Sequence, residues 1–300
     1  MQPATGVSRN VQGGRLRRRH VPRHRTLAAD TLSLDRSLKW GNELSPRLSA
    51  GLLLTLMGGV LMASCAAPEL VVQYQVTGAE TNCYLLYDPA TREAALVDVG
   101  GEIPELLDAV QEQDLEIRYI LATHGHTDHV LGVPAAKEAF PNAVVCMHEH
   151  AYKDLQTLGD WMQEHVPKET LEEWCLDPEV KKLTEFDPAS LGTPDMLLTD
   201  GDELKLGRHY IGVLHCPGHS RGGLCYSVGG VLFSGDVLFR GTVGRVDGQN
   251  ASREAQIASV RRLYKEFPDE AIVYTGHGEL TTIGYERVSN ERVSETAVNL

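Results

Sequence analysis

Between Thr123 and His129 the chain reads Thr-His-Gly-His-Thr-Asp-His. Three imidazoles and one carboxylate therefore fall within six residues, counted from His124. Imidazole and carboxylate together suit zinc and neighbouring first-row ions, whereas an all-oxygen set would suit magnesium or calcium. In an extended turn, side chains two residues apart point the same way, so His124 and His126 can share one ion. Asp128 and His129 must then serve something adjacent. A single histidine is more often a satisfied core or surface group, but four metal-competent residues in six, set between apolar runs, are read as a site. His148 and His150, in Met147-His148-Glu149-His150, lack that context and are expected in a solvated loop.

Four more segments place polar residues just after apolar, strand-like runs. They are Val97-Asp98-Val99-Gly100-Gly101, Cys216-Pro217-Gly218-His219-Ser220, Phe233-Ser234-Gly235-Asp236 and Tyr274-Thr275-Gly276-His277-Gly278. Loops at strand ends are where a rigid scaffold presents functional side chains. Ser220 and Cys216 are nucleophile types, yet their place in the His219 loop reads as loop-shaping.

The elements that must hold these loops are short. Strands are expected at Leu70–Val76, Asn82–Tyr87, Ala94–Val99, Ile117–Leu121 and Ala143–Met147, with helices at Pro104–Gln113 and around Val130–Phe140. A second batch of strands follows at Tyr210–Leu214, Leu224–Val228, Gly230–Phe233 and Ala271–Tyr274, with a hairpin at Gly229-Gly230. A helix near Ala251–Phe267 and a terminal helix complete the pattern. Residues 148–200 are acidic and helix-like, and read as an insertion packed beside or over the site. Two batches of strands separated by helices fit an α/β sandwich of two sheets faced by helices.

The pattern H-x-H-x-D-H followed by separate His, Asp and His resembles the metallo-β-lactamase superfamily of metal-dependent hydrolases, over nearly all of residues 70–290. The resemblance implies a four-layer αββα sandwich carrying the helical insertion at about 148–200. It also implies one metal ion on His124, His126 and His219, and a second on Asp128, His129 and His277, with Asp236 bridging both. Asp98 matches the superfamily's first motif, whose carboxylate orients the ligand loop from behind. The implied cofactor is a pair of divalent ions, zinc foremost, with iron or manganese equally accepted by such ligands.

Within the superfamily the chain looks most like the short bacterial form of glyoxalase II, the hydroxyacylglutathione hydrolases. Thr81–Leu86 (TNCYLL), Ser234–Arg245 (SGDVLFRGTVGR) and Gly276–Glu286 (GHGELTTIGYE) carry that likeness. It implies hydrolysis of a small-molecule thioester by attack of a metal-bound hydroxide, with Asp128 and Asp236 in the catalytic machinery. Arg245 would sit near the carboxylate of the glutathione moiety; the bland alternative is a turn residue anchored by salt bridges. Asp247 stands where the long forms have an aromatic, and 23 residues follow His277. The insertion is therefore expected to form the substrate wall. Other readings on the same scaffold are a mononuclear iron persulfide dioxygenase, a lactonase, a β-lactamase and a tRNA-processing nuclease.

Charge bears on the last of these. The chain has 28 Lys and Arg against 41 Asp and Glu, a net charge of −13. Residues 1–50 hold ten basic and three acidic residues, leaving −20 over residues 51–300. That body offers no counterion-releasing surface, so a nucleic-acid partner is not expected. Residues 1–65 are expected to be a basic leader without a folded core, ending in the apolar, signal-like run Leu48–Met62. Met62-Ala63-Ser64-Cys65 resembles a bacterial lipoprotein cleavage box, so export or membrane attachment through Cys65 is expected. The alternatives are an organelle transit peptide, or a start at Met57 or Met62 with a cytoplasmic protein. The six cysteines form no C-x-x-C pair, and most of them are expected as buried thiols. Nothing in the sequence sets the oligomeric state.

Overall fold

The computed structural model describes residues 70–78 and 80–293. The leader 1–65, with Cys65, lies outside the described residues.

Two six-stranded sheets pack face to face. The first holds β1 (Val71–Val76), β2 (Asn82–Tyr87), β3 (Glu93–Val97), β4 (Glu116–Leu121), β5 (Val144–Met147) and β6 (Met196–Leu197), in that order. The β1–β2 and β2–β3 pairs are antiparallel, and the pairs from β3 to β6 are parallel. The second runs in reverse order, from β12 (Thr281–Thr282) through β11 (Ile272–Thr275), β10 (Val231–Gly235), β9 (Leu224–Val228) and β8 (His209–His215) to β7 (Glu203–Leu206). Only β10 and β11 pair in parallel there. The β9–β10 hairpin turns on Gly229 and Gly230, both at positive φ, as a tight two-residue turn requires.

Strand β2 shows why the sandwich needs helices on both outer faces. All six of its residues are buried. Cys83, Leu85 and Tyr87 join an apolar cluster with α1 (Pro104–Glu112), α3 (Val133–Ala139) and the start of α4 (Glu149–His165). Tyr84 and Leu86 face the other way and meet Ile211, Tyr226 and Phe233 of the second sheet. Alternation with period two, covered on both sides, turns an apolar run into a central strand. Tyr84 stands edge-on to Phe233 and to Tyr274, each at 5.3 Å, and its hydroxyl donates to the Thr275 carbonyl. A third cluster, including Leu232, Val260, Leu263 and Ile283, seats α7 (Arg253–Glu266) and α8 (Ile283–Ser289) on the second sheet's outer face.

The helix expected around Val130–Phe140 is two helices, α2 (Thr127–Val130) and α3. The break falls at Gly132, where a Cβ would run into the carbonyl oxygen of Gly101, and Pro134 opens the next helix. Strands β6, β7 and β12 were absent from the pattern reading. β7 carries a readable alternation, with Leu204 and Leu206 inward and Glu203 and Lys205 outward, but spans only four residues. β6 falls inside residues 148–200, which otherwise hold α4, α5 (Lys168–Trp174), α6 (Pro178–Thr184) and a 3-10 turn at Pro188–Leu191. His148 and His150 are not in a solvated loop. His148 Nδ1 accepts the His150 N–H and so caps α4, and its ring stacks on His215 at 4.4 Å.

The sheets are also tied by charge. The fully buried Asp88 carboxylate, just past β2, accepts the backbone N–H, Nε–H and Nη2–H of Arg208 in the β7–β8 turn. These hydrogen bonds outweigh burial and hold the Asp88 carboxyl well below the usual carboxylate range. Arg208 is half exposed and stays hydrated when its partner is lost, so Asp88→Ala is expected to cost about 2 kcal/mol in urea unfolding, from the charge-assisted hydrogen bonds removed. Because the folded pKa is depressed, this stability is present above the unfolded value near 4 and lost as pH falls toward the folded one. Asp88→Ala should therefore flatten the acid limb of stability measured below pH 4.

Candidate metal centre

Five loops at the C-terminal ends of strands converge at one edge of the sandwich. β3 delivers Asp98, β4 delivers His124, His126, Asp128 and His129, and β8, β10 and β11 deliver His219, Asp236 and His277. In three triads the ligand atoms all lie within 4.8 Å of one another: His124, His126 and His219; His124, His129 and Asp236; Asp128, His129 and His277. The structure thus brings together all seven residues that the resemblance implied as ligands.

The first triad is built of ring nitrogens. His126 Nδ1 lies 3.0 Å from His124 Nε2 and 2.9 Å from His219 Nε2. In the third, Asp128 Oδ2 lies 3.6 Å from His129 Nε2 and 3.3 Å from His277 Nε2, and the two ring nitrogens are 3.2 Å apart. Asp236 stands between the triads. Its Oδ2 is 3.3 Å from His219 Nε2, while its Oδ1 is 3.4 Å from His129 Nε2 and 3.7 Å from His277 Nε2.

The residues present fit a pair of divalent ions on three counts. The edges of a tetrahedron with ligands about 2.1 Å from its centre are roughly 3.4 Å, close to the separations above. Asp236 Oδ1 is buried without a hydrogen-bond partner, and such an atom calls for a cation or an equivalent donor. The third count is that most rings are turned by their other nitrogen. His219 Nδ1 donates to the Arg245 carbonyl, and His277 Nδ1 to the Glu80 carbonyl. His124 Nδ1 lies 3.1 Å from the Thr123 hydroxyl, which donates in turn to Asp98, and His129 Nδ1 lies 3.0 Å from Asp98 Oδ2. Each arrangement leaves a ring nitrogen aimed at the cluster, as metal-bound histidines require.

Titration follows the same division. Burial, with the neighbouring imidazoles, pushes His124 down, His126 down to about 4 and His219 down to about 3, so their lone pairs are free at neutral pH. At His129 burial is outweighed by Asp128, Asp236 and Asp98, which raise it to about 10. Burial is also opposed at Asp128, where His129 and His277 hold the carboxyl below its usual range. Asp236 is pushed up to about 6, by burial first. Where three carboxylates converge on one imidazole, a positive charge is demanded. A proton on His129 meets that demand, and a cation can replace it.

Groups that no motif pointed to hold the loops. Gln256, buried in α7, accepts the His219 N–H with its carbonyl and donates to the Val237 carbonyl, joining two ligand loops. Asn82 donates to the carbonyls of Thr275 and Gly278 and fixes the turn around His277. The readable signal for both was an amide placed among apolar neighbours. Gly276 is fixed by crowding: a Cβ there would collide with Asp236 Oδ1 and crowd His129 Cε1. Gly276→Ala should weaken metal binding about tenfold, read by competition with a chromophoric chelator, while the fold persists.

Above the cluster lies a cleft of about 460 Å³. His126, Asp128, His219, Asp236 and His277 form its floor, and the helices α4, α5 and α6 supply its apolar side. Arg245 lies on its rim, 63% exposed and 3.7 Å from Asp247. The helices between residues 149 and 184 therefore border the cleft.

Comparison with known proteins agrees with this geometry. Residues 76–277 match the Metallo-beta-lactamase superfamily. Hydroxyacylglutathione hydrolase GloC of Haemophilus influenzae is 33% identical over 72% of this chain and 93% of that protein. The crystal structure of the BLEG-1 B3 metallo-beta-lactamase covers 76% of this chain and 100% of its own, at 30% identity and a TM-score of 0.60. That of TTHA1623, in a di-iron-bound form, covers 72% and 98%, at 31% identity and a TM-score of 0.55. The αββα fold, the matched length and the convergent His/Asp cluster lead to one conclusion: the chain belongs to the metallo-beta-lactamase superfamily.

Proposed function

We propose that the protein is a binuclear metallo-hydrolase that cleaves a thioester of the hydroxyacylglutathione type. The observation that carries this reading is the Asp236 carboxylate, whose two oxygens face two different triads. In the proposal, His124, His126 and His219 would hold one ion and Asp128, His129 and His277 the other, with the Asp236 carboxylate available to both. When bound, the ions supply an ionised water at neutral pH, by lowering its pKa from roughly 16 to about 7, and polarise the carbonyl under attack.

The chain's own residues do the rest. His219 and His277 keep their outward protons on the carbonyls of Arg245 and Glu80, so neither ring can turn away. Asp128 and Asp236 place carboxylates on the cleft floor, where they would orient an attacking water. The apolar helices α4 to α6 limit bulk water at the reacting bond, which strengthens the local electrostatics. Arg245 is proposed to face the carboxylate of the thiol moiety. No serine or cysteine nucleophile is needed, and Cys216 is buried in the third apolar cluster.

The likeness to GloC supports the thioester reading. A full seven-residue set favours hydrolysis over a mononuclear oxygenase, which needs three ligands. The test is S-lactoylglutathione hydrolysis by protein loaded with zinc, iron or manganese, beside oxygen uptake with glutathione persulfide and turnover of a lactone and a β-lactam. Thioester cleavage without oxygen uptake is expected; oxygen consumption without cleavage would overturn the assignment. Residues 48–65 are proposed to direct export or lipid attachment at Cys65, which mass spectrometry of the mature N-terminus checks.

A further inference from the structure

The cleft is more apolar, and larger, than a small hydroxyacyl group needs. Leu158, Trp161 and Met162 of α4, Trp174 of α5, and Val180 and Leu183 of α6 all line it. Among the described residues, none of the six belongs to the three core clusters. α5 and α6 bury no residue at all, and α4 buries only Ala151, Asp154 and Leu155, in its first two turns. Helices pack their apolar sides inward because a core covers them; here the apolar sides turn to the cleft instead. A cleft of about 460 Å³ with one side apolar, beside a cluster of convergent polar groups, fits a ligand-binding wall.

Two substituents radiate from a thioester carbonyl seated over Asp236. The thiol half of an acyl carrier is polar and ionised, and no cation stands among the six wall residues. The exposed Arg245, on the rim, suits that half. We infer that the wall takes the acyl half, and that the substrate's acyl group is bulky and apolar, aromatic or of medium chain length. The inference rests on the thioester reading and sharpens it. Trp161 is the leading specificity residue, its ring stacked on His165 at 4.9 Å.

The test holds the thiol constant and varies the acyl group: S-lactoyl-, S-mandeloyl- and S-(2-hydroxyoctanoyl)glutathione with the metal-loaded protein. kcat/KM should rise at least tenfold from lactoyl to the larger two, at roughly fourfold for each methylene buried. Trp161→Ala and Leu183→Ala should each shrink that ratio by about tenfold, mainly through KM, and neither removes a core residue. In parallel, the neutral probe octanamide is titrated into metal-free protein and followed by tryptophan fluorescence. Saturable binding that Leu183→Ala weakens is expected. Hydrolysis with no acyl preference would overturn this inference and leave thioesterase activity standing. Failure of every thioester, with octanamide still bound at the wall, would overturn the thioester reading and keep an apolar ligand. Absence of octanamide binding would sink the wall assignment.

Discussion

Asp236→Ala is expected to lower the metal content from two ions per chain to one or fewer, and to cut kcat/KM about a thousandfold. The reason lies in the placement of one carboxylate. Oδ2 faces the His219 side and Oδ1 the His129 and His277 side, so its loss would take a donor oxygen from both sides of the cluster at once. A thousandfold corresponds to about 4 kcal/mol of transition-state stabilisation, the scale expected of a polarising ion. The loop itself should survive. The Asp236 carbonyl accepts the Gly244 N–H, and Gln256 pins Val237 next to it. The substitution also deletes a buried carboxylate oxygen that has no hydrogen-bond partner, so the metal-free variant should melt no lower than the metal-free wild type. The combination is diagnostic: metal-induced stabilisation shrinks while the intrinsic stability holds. Elemental analysis and paired melting curves read both.

Asp98→Asn is expected to weaken metal binding by 10- to 100-fold although Asp98 is in none of the three triads. Asp98 Oδ1 accepts the Thr123 N–H at 2.7 Å, and Oδ2 accepts the Thr123 hydroxyl at 2.8 Å and lies 3.0 Å from His129 Nδ1. One carboxylate thus anchors the start of the ligand loop and orients a ring inside it. An amide can still accept at one position but presents N–H groups at the other, against the Thr123 hydroxyl and the His129 ring. Loss of its negative charge also removes part of what raises His129. Asparagine is the informative substitution because Asp98 sits at φ +54, a region that asparagine tolerates and alanine does not. A large effect in the asparagine variant is therefore electrostatic rather than backbone strain. Metal affinity by chelator competition checks it, with circular dichroism to show that the fold persists.

Much of this was legible before any coordinates, for a physical reason. A metal centre on strand-end loops leaves a signature in each loop separately: an apolar run, then a small residue, then a ligand. His124, His219, Asp236 and His277 all carry it, and Asp98 follows its apolar run directly. The supports were not legible, because several are backbone carbonyls, as at Glu80 and Arg245, and any residue type supplies those. Arg245 itself illustrates the gap: its side chain drew attention, but its carbonyl orients His219. The wall over the site was legible only as an insertion. The insertion is expected to form that wall, but nothing local says which side chains α4 to α6 turn toward the cleft, Trp161 and Leu183 among them. β6 escaped because two residues carry no period.

A metal-dependent thioester hydrolase is tested most directly by one titration. Protein stripped with a chelator is titrated with zinc, and S-lactoylglutathione hydrolysis is followed against zinc bound per chain. Turnover is predicted to be absent in the stripped protein and to rise to a maximum as the second equivalent binds. Full activity in the stripped protein, or no hydrolysis with two equivalents bound, would contradict it.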